Sequence, residues 1–368
     1  MRFKKEPMYM HGNTSKIAVV LVNLGTPEEP TGKSVGSYLR EFLSDPRMVE
    51  IPKFLWWLIL NLIIIPFRSK KSAKKYASIW TENGSPLKIH TELQTDLLRK
   101  ALLNKGHDIQ VLFAMRYGYP SMPEVLNKVK ELGCDKLLIL PAYPQYSGPT
   151  TASIFDSVFM FYSKIRNIPE LRLIKHYHDN PDYIDALKNL VVTHWKKNGR
   201  PEKLIFSFHG VPKNTLLKGD PYHCECHKTA RLLGKELNLN EQDYIVTFQS
   251  RFGKAEWLKP YTAPTLKTLA SKGINRVDVM CPGFTSDCLE TLEEISLEAR
   301  DDFLNSGGKE FYYINCLNED EKWIEALVQL VETNTFGWKT KKSEVEKQKI
   351  LNESKLSRSH ALKLGAIN

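Results

Sequence analysis

Three strand-like runs early in the chain are answered, in the same order, by three later ones, and this ordered repeat constrains the fold more than any other feature of the sequence. The early runs are KIAVVLVNLGTP (16–27), IQVLFAMRYG (109–118) and DKLLILPAYP (135–144). The later ones are EKLIFSFHGVP (202–212), YIVTFQSRFG (244–253) and NRVDVMCPGF (275–284). VLVNLGTP aligns with IFSFHGVP at an offset of 185, RYG with RFG at 135, and GCDKLLIL with GINRVDVM at 140; a shared order is harder to dismiss than any one short match. Each run is short, apolar and closed by Gly or Pro, and amphipathic stretches such as YIDALKNLVVTHWKKNG lie between them. That alternation predicts an α/β protein with parallel sheets and crossover helices, arranged as two similar domains facing one cleft. The expected division is an N-terminal extension (1–15), a first domain (16–160), a second domain (161–335) and a basic tail (336–368).

Ligands of open α/β sheets bind at strand ends, so differences between the two copies there are informative. At the end of the first strand the early copy has Leu24 where the late copy has His209. At the third strand the offset sets Ser147 and Thr150 against Asp287 and Glu290. One half thus supplies a neutral wall and the other a histidine with carboxylates. A lone strand-end histidine is as often a hydrogen-bonded structural residue as a functional one. Here GFTSDCLETLEEI brings Asp287, Glu290, Glu293 and Glu294 to the same half, with Glu290 and Glu294 one helical turn apart. Some of these acids form a solvated helix face. Asp287 and Glu290, nearest the strand end, are expected to face the cleft, and Asp287 and Glu294 are candidates for a proton relay. Imidazole and carboxylate together suit a first-row divalent metal or proton transfer. Tyr117, Tyr143, Tyr146, Phe252, Trp257 and Phe284 fall at strand ends, which predicts a flat-sided apolar cleft for a large planar ligand. Neither G-x-G-x-x-G nor G-x-x-x-x-G-K-[ST] follows any of these strands.

The net charge of +10 is concentrated in two places. Residues 51–75 carry six bases and no acid, the tail 338–368 carries eight bases and three acids, and the remainder is close to neutral. A general polyanion-binding face, and with it nucleic acid, is therefore not expected. The first basic cluster follows FLWWLILNLIIIPF (54–67), which is too short to span a bilayer but has the tryptophans and flanking lysines of an interfacial segment. We read it as an exposed apolar lip touching a membrane peripherally; a buried core helix is the alternative. The first 16 residues carry charge without an apolar core, so a cytoplasmic protein is expected. The six cysteines are expected to be free thiols. The tail reads as a solvated or partly disordered extension.

Taken together, VNLGTP, SYLREFLSDPRM, GSPL, MRYGYP, LPAYPQYSGPTTAS, SFHGVP, KGDPY, FQSRFGKAEWLKPYT and GFTSDCLETLEEI resemble the ferrochelatase family over residues 16–330. The resemblance implies two Rossmann-like domains without nucleotide (the chelatase-like α/β fold), a porphyrin between them, and insertion of Fe²⁺ into protoporphyrin IX as the last step of haem synthesis. The family's catalytic histidine falls on His209 and its cleft carboxylate on Glu290, both as metal and proton-transfer residues. Porphyrin contacts fall on Leu24, Tyr76, Arg116, Tyr117, Tyr143 and Trp257, to which the aromatic pattern adds Phe284. The family holds the macrocycle bent, exposing pyrrole nitrogens that a flat ring shields.

Two departures stand out. Many relatives have histidine where Cys288 stands, and no cysteine follows Cys316, so a [2Fe-2S] cluster of the C-terminal type is not expected, nor any other prosthetic group. His223, Cys224, Cys226 and His227 in YHCECHKTAR are read as adventitious metal ligands or none. The rival readings are a porphyrin or haem carrier without chemistry, and a coproporphyrin chelatase; the latter typically has tyrosine at the position of Leu24.

Overall fold

Residues 3, 4, 6, 8–253 and 255–367 are described by a computed structural model, in which all eight strands lie in two parallel four-stranded sheets. β1 (Lys16–Thr26), β2 (Ile109–Gly118), β3 (Cys134–Pro141) and β4 (Glu170–Leu173) are ordered β2-β1-β3-β4. β5 (Lys203–His209), β6 (Tyr244–Gln249), β7 (Arg276–Met280) and β8 (Glu310–Ile314) are ordered β6-β5-β7-β8. The two orders are the same permutation, so the repeat in the sequence is a repeat of topology.

The division expected at 160/161 falls too early. β4 pairs with β3 in the first sheet, so the chain leaves that sheet only after Leu173. β4 is a four-residue edge strand, ELRL, with no buried side chain, which gives it little apolar signature.

In the first half, α1 (Gly32–Leu43), α2 (Lys53–Ile59), α3 (Ile65–Ile79) and α4 (Pro86–Asn104) link β1 to β2, followed by α5 (Met122–Glu131) and α6 (Ser153–Tyr162). α7 (Pro181–Asn198) leads into the second half, where α8 (Lys213–Leu217), α9 (Tyr222–Glu236), α10 (Thr262–Ser271), α11 (Leu289–Leu292), α12 (Arg300–Asn305) and α13 (Glu321–Asn334) alternate with strands. The tail forms one helix without a buried residue, α14 (Glu344–Lys363), the solvated rather than the disordered form of the extension expected; Ser343 and Glu346 build a capping box at its start.

Successive residues of β1 enter opposite cores: Ile17, Val19 and Leu21 one, Ala18, Val20 and Val22 the other. This is the period-2 pattern of a strand buried on both faces. The first of these cores also takes Leu204, Phe206 and Phe208 of β5, together with Leu98, Leu187, Leu233, Trp323 and Leu327 from α4, α7, α9 and α13. The two sheets therefore share one hydrophobic interior.

The apolar run 54–67 is a continuous helical arm: α2 passes through a π turn at Leu60–Ile64 into α3. Pro66 has no N–H to give the preceding turn, and the wider turn, closed by Ile65 N–H to Leu60 C=O, accommodates it. Phe54, Leu55, Trp57, Leu62, Ile63 and Phe67 are exposed, whereas Trp56, Leu60 and Ile65 are buried with α1, Tyr76 and Tyr117. The lip is thus half of the run. Trp56 belongs to the core, its indole N–H donating to Leu43 C=O at 2.6 Å.

Candidate functional site

The strand ends of both halves open toward α1 and α3, which lie over them. Gly25 and Gly210 occupy equivalent places after β1 and β5, and neither can carry a side chain. A Cβ on Gly25 (φ 109°) would lie 1.7 Å from Tyr117 C=O, and one on Gly210 would lie 2.6 Å from Gln249 C=O and 3.0 Å from Trp257. These glycines let the neighbouring strand end close in, which sets the position of the residue before each: Leu24 and His209.

His209 Nδ1 lies 2.7 Å from Gly210 C=O. A carbonyl only accepts, so Nδ1 carries a proton, and in the neutral tautomer that this contact selects Nε2 is the nitrogen with the lone pair. Trp257 and Phe284 flank the imidazole, with centroids 6.4 and 6.5 Å away.

The carboxylates come from the segment after β7. Cys288 caps α11, which runs directly into a π turn at Glu294–Ala299, closed by Glu298 N–H to Glu293 C=O at 2.9 Å. Gln249 Nε2 donates to Glu290 C=O at 2.7 Å. Glu294 accepts from the Ser250 amide at 2.6 Å and from the Ser250 hydroxyl. Ser250 has φ 63°, a left-handed conformation that a non-glycine residue adopts at a cost. Burial lifts the Glu294 carboxyl above its usual range; Ser250 and His209 oppose this and Glu290 reinforces it. His209, Glu290 and Glu294 therefore share one electrostatic neighbourhood. Further along, Lys75 of α3 bridges Glu293 at 2.8 Å and Glu298 at 2.7 Å, the latter exposed. Glu290, Glu293, Glu294 and Glu298 follow one another along this segment, a file of acids in the chain that ends at the exposed Glu298.

Opposite them stand phenols from the first half. Tyr38, Tyr76 and Tyr143 are held well above the ordinary tyrosine range, first by burial, with the Glu290 charge adding to the rise in each. The Tyr143 hydroxyl is buried without a hydrogen-bond partner, as expected of a group that faces a ligand site. Leu24 and Leu289 pack against the cluster that holds Tyr76. Burial, reinforced by Glu290, keeps the Cys288 thiol well above its ordinary value, so it is protonated.

Three expected site residues have other partners. Asp287 does not join the carboxylate file: it is 3% exposed, with Oδ1 accepting from Tyr313 at 2.6 Å and Thr291 at 2.8 Å, and Oδ2 from Asn318 at 2.7 Å. Its place is beneath α11, where it ties down the turn that presents Glu290. Arg116 gives its guanidinium to Asp45 at 2.6 Å and to Ser153 at 2.7 Å. The Tyr117 hydroxyl also reaches Asp45, at 2.9 Å. Burial would raise the Asp45 carboxyl, but Ser153, the Arg47 amide, Tyr117 and Arg116 hold it below the usual range. Arg116 and Tyr117 thus brace the wall through Asp45. Of the other aromatic residues, Tyr146 packs under Lys175, and Phe252 under Arg68 of α3.

The sequence reading missed the residues that hold the Glu290 segment in place. Gln94 of α4 crosses between the halves and donates to Thr285 C=O at 2.9 Å, Asn318 C=O at 2.8 Å and the Ser286 hydroxyl at 3.1 Å. Thr285 in turn donates to Ala142 C=O at 3.1 Å. A buried glutamine on a helix otherwise facing the core was the available signal. His223 and His227 do share a face of α9, with ring centroids 4.4 Å apart, but Cys226 is buried and Cys224 exposed, so the four do not converge. All six cysteines are free.

Residues 16–335 match the family model described as Ferrochelatase. The chain is 62% identical over 366 residues to the ferrochelatase of Janthinobacterium sp. (strain Marseille), covering 100% of both chains. It is 62% identical over the same length to that of Herminiimonas arsenicoxydans, again covering 100% of both. Among solved structures, the fold is similar to SirB from Bacillus subtilis with Fe³⁺, at a TM-score of 0.50 and 12% identity, covering 87% of this chain and 96% of that one.

Proposed function

The chain belongs to the ferrochelatase family, and from that premise we propose that it inserts Fe²⁺ into protoporphyrin IX to give protohaem, with His209, Glu290 and Glu294 removing the displaced protons. The reaction breaks two pyrrole N–H bonds, forms four Fe–N bonds and releases two protons, so a base must meet the macrocycle centre. The observation that carries the assignment is the His209 Nδ1 to Gly210 carbonyl contact, which leaves Nε2 as the acceptor. Glu294, whose proton affinity is raised by burial, takes the proton onward. Glu290, Glu293 and Glu298 continue the path to solvent. Tyr143, Tyr76, Leu24, Trp257 and Phe284 supply the walls that grip the ring, and their apolar character suits protoporphyrin over the more carboxylated coproporphyrin.

The exposed residues Phe54, Leu55, Trp57, Leu62, Ile63 and Phe67, followed by Arg68, Lys70, Lys71 and Lys74, form an interfacial surface at the mouth. No helix among the described residues is long and apolar enough to cross a membrane. We assign the lip to peripheral contact with an anionic bilayer, from which a poorly soluble porphyrin can enter.

The test is His209→Ala, assayed anaerobically by metalloporphyrin absorbance and separately by quenching of tryptophan fluorescence on porphyrin binding. Insertion is lost and binding is retained. Parallel loss of both assigns His209 to the fold and leaves the proton path without its first acceptor.

A further inference from the structure

We propose that His176, His178 and Glu225 form a second metal site, for a first-row divalent cation, that fastens the two halves of the protein together outside the cleft. His176 and His178 lie on the segment that leaves the first sheet after β4, and Glu225 lies on α9 of the second half. One ligand atom from each falls within 4.8 Å of the others, and among the described residues this is the one group of three or more such side chains to converge.

The local hydrogen bonding is incomplete in a way that a cation completes. Glu225 is anchored: Oε1 lies 2.7 Å from His176 Nδ1, and Oε2 accepts the Tyr146 amide at 2.7 Å. His178 is 5% exposed, and its Nδ1, 3.3 Å from that same Oε2, makes no hydrogen bond. A buried imidazole nitrogen and a fixed carboxylate oxygen thus face each other at ion-pair distance without a hydrogen bond between them. Metal–ligand bonds of about 2.0–2.2 Å in a tetrahedron place neighbouring donors roughly 3.2–3.6 Å apart; the 3.3 Å between His178 Nδ1 and Glu225 Oε2 already matches, and the 2.7 Å hydrogen bond between His176 and Glu225 has to open by about 0.5 Å to admit the ion. The His176 side chain is 40% exposed, which leaves a coordination position for water. Asp179, held by Lys228, lies 3.9 Å from His178 Nε2, near enough to add negative charge beside the site but beyond hydrogen-bond reach. Two imidazoles and one carboxylate select Zn²⁺, Co²⁺, Ni²⁺ or Fe²⁺ over Mg²⁺ or Ca²⁺.

The experiment uses the full chain carrying His209→Ala and Glu290→Gln, which silences the cleft as a competing site, titrated with Co²⁺ and followed by visible absorbance. One equivalent of Co²⁺ gives a tetrahedral d–d band, and Zn²⁺ displaces it and raises the melting temperature. Adding His178→Ala weakens Co²⁺ binding by roughly 100-fold or more and abolishes the Zn²⁺-dependent rise. His176→Ala, at a half-exposed position, does the same without disturbing the interior. A band that survives His176→Ala, or that is lost instead with His223→Ala, overturns the assignment, as does the absence of any Co²⁺ band in the parent.

Discussion

Replacing Asp287 by asparagine separates a residue that positions the carboxylate file from one that belongs to it. The carboxylate accepts from Tyr313 at 2.6 Å, Thr291 at 2.8 Å and Asn318 at 2.7 Å, and it is almost wholly buried. Asparagine keeps the shape but supplies one acceptor and one donor where two acceptors stood. Facing Asn318, its NH₂ meets another NH₂. Flipped, it requires the Tyr313 and Thr291 hydroxyls to turn round and accept. Either arrangement weakens one or two hydrogen bonds to a charged group, at about 1.5–3 kcal/mol each, so a total loss of about 2–4 kcal/mol is expected. Urea denaturation should show a lower midpoint at an unchanged slope. Since α11 is still formed, the folded variant should insert iron slowly but with the parent's dependence on pH. Parent-like stability combined with a flattened pH profile would refute the reasoning, because it would mean that Asp287 itself carries a proton.

Glu294→Gln gives the opposite pattern. The carboxyl is raised in the folded protein, so it ionises earlier in the unfolded chain, and the native state gains stability as pH falls through the raised value. Removing that ionisation leaves the variant at least as stable as the parent at pH 8, with the difference shrinking toward acid pH, while kcat drops strongly; a parent-like kcat would take Glu294 out of the path. At the lip, replacing Phe54, Trp57 and Phe67 together with Ser should abolish sedimentation with anionic vesicles at unchanged melting temperature, whereas Trp56→Ser alone should cost about 3–5 kcal/mol of stability. Retained vesicle binding in the triple variant would refute the assignment of the lip. Cys288→Ser should keep most of the activity, since the thiol it replaces is protonated; a collapse at every pH, rescued by Cys288→His, would make this position a working proton carrier.

What could be read in the sequence, and what could not, follows from how far apart the interacting residues lie. The β1/β5 alignment placed His209 opposite Leu24 because both sit at the same point of a local strand–turn pattern. Glu290 and Glu294 were legible as one helical turn. Asp287 was indistinguishable from them, since its partners Tyr313 and Asn318 come from β8 and the loop after it. The strain at Ser250 leaves no mark in composition. Arg116 read as a free cation because Asp45 lies 71 residues away. In YHCECH attention fell on the histidines and cysteines, while the residue that points at other ligands is Glu225 between the cysteines. His176 and His178 carried their own signal, because alternate residues of an extended segment share a side.

The interior shared by the two sheets has a consequence for how the protein comes apart. α13, the last helix of the repeat, packs against α4 of the first half and α7 of the second, so neither half encloses a complete core by itself. Residues 16–180 expressed alone would expose the apolar faces of β1 and α4 and aggregate. Heating the intact chain should give a single endotherm with calorimetric and van't Hoff enthalpies in agreement, although the topology contains the same unit twice. Nascent chains emerging from the ribosome must hold the first sheet unfinished until α13, ending at Asn334, has been made, a long exposure during which a holdase chaperone has a surface to grip.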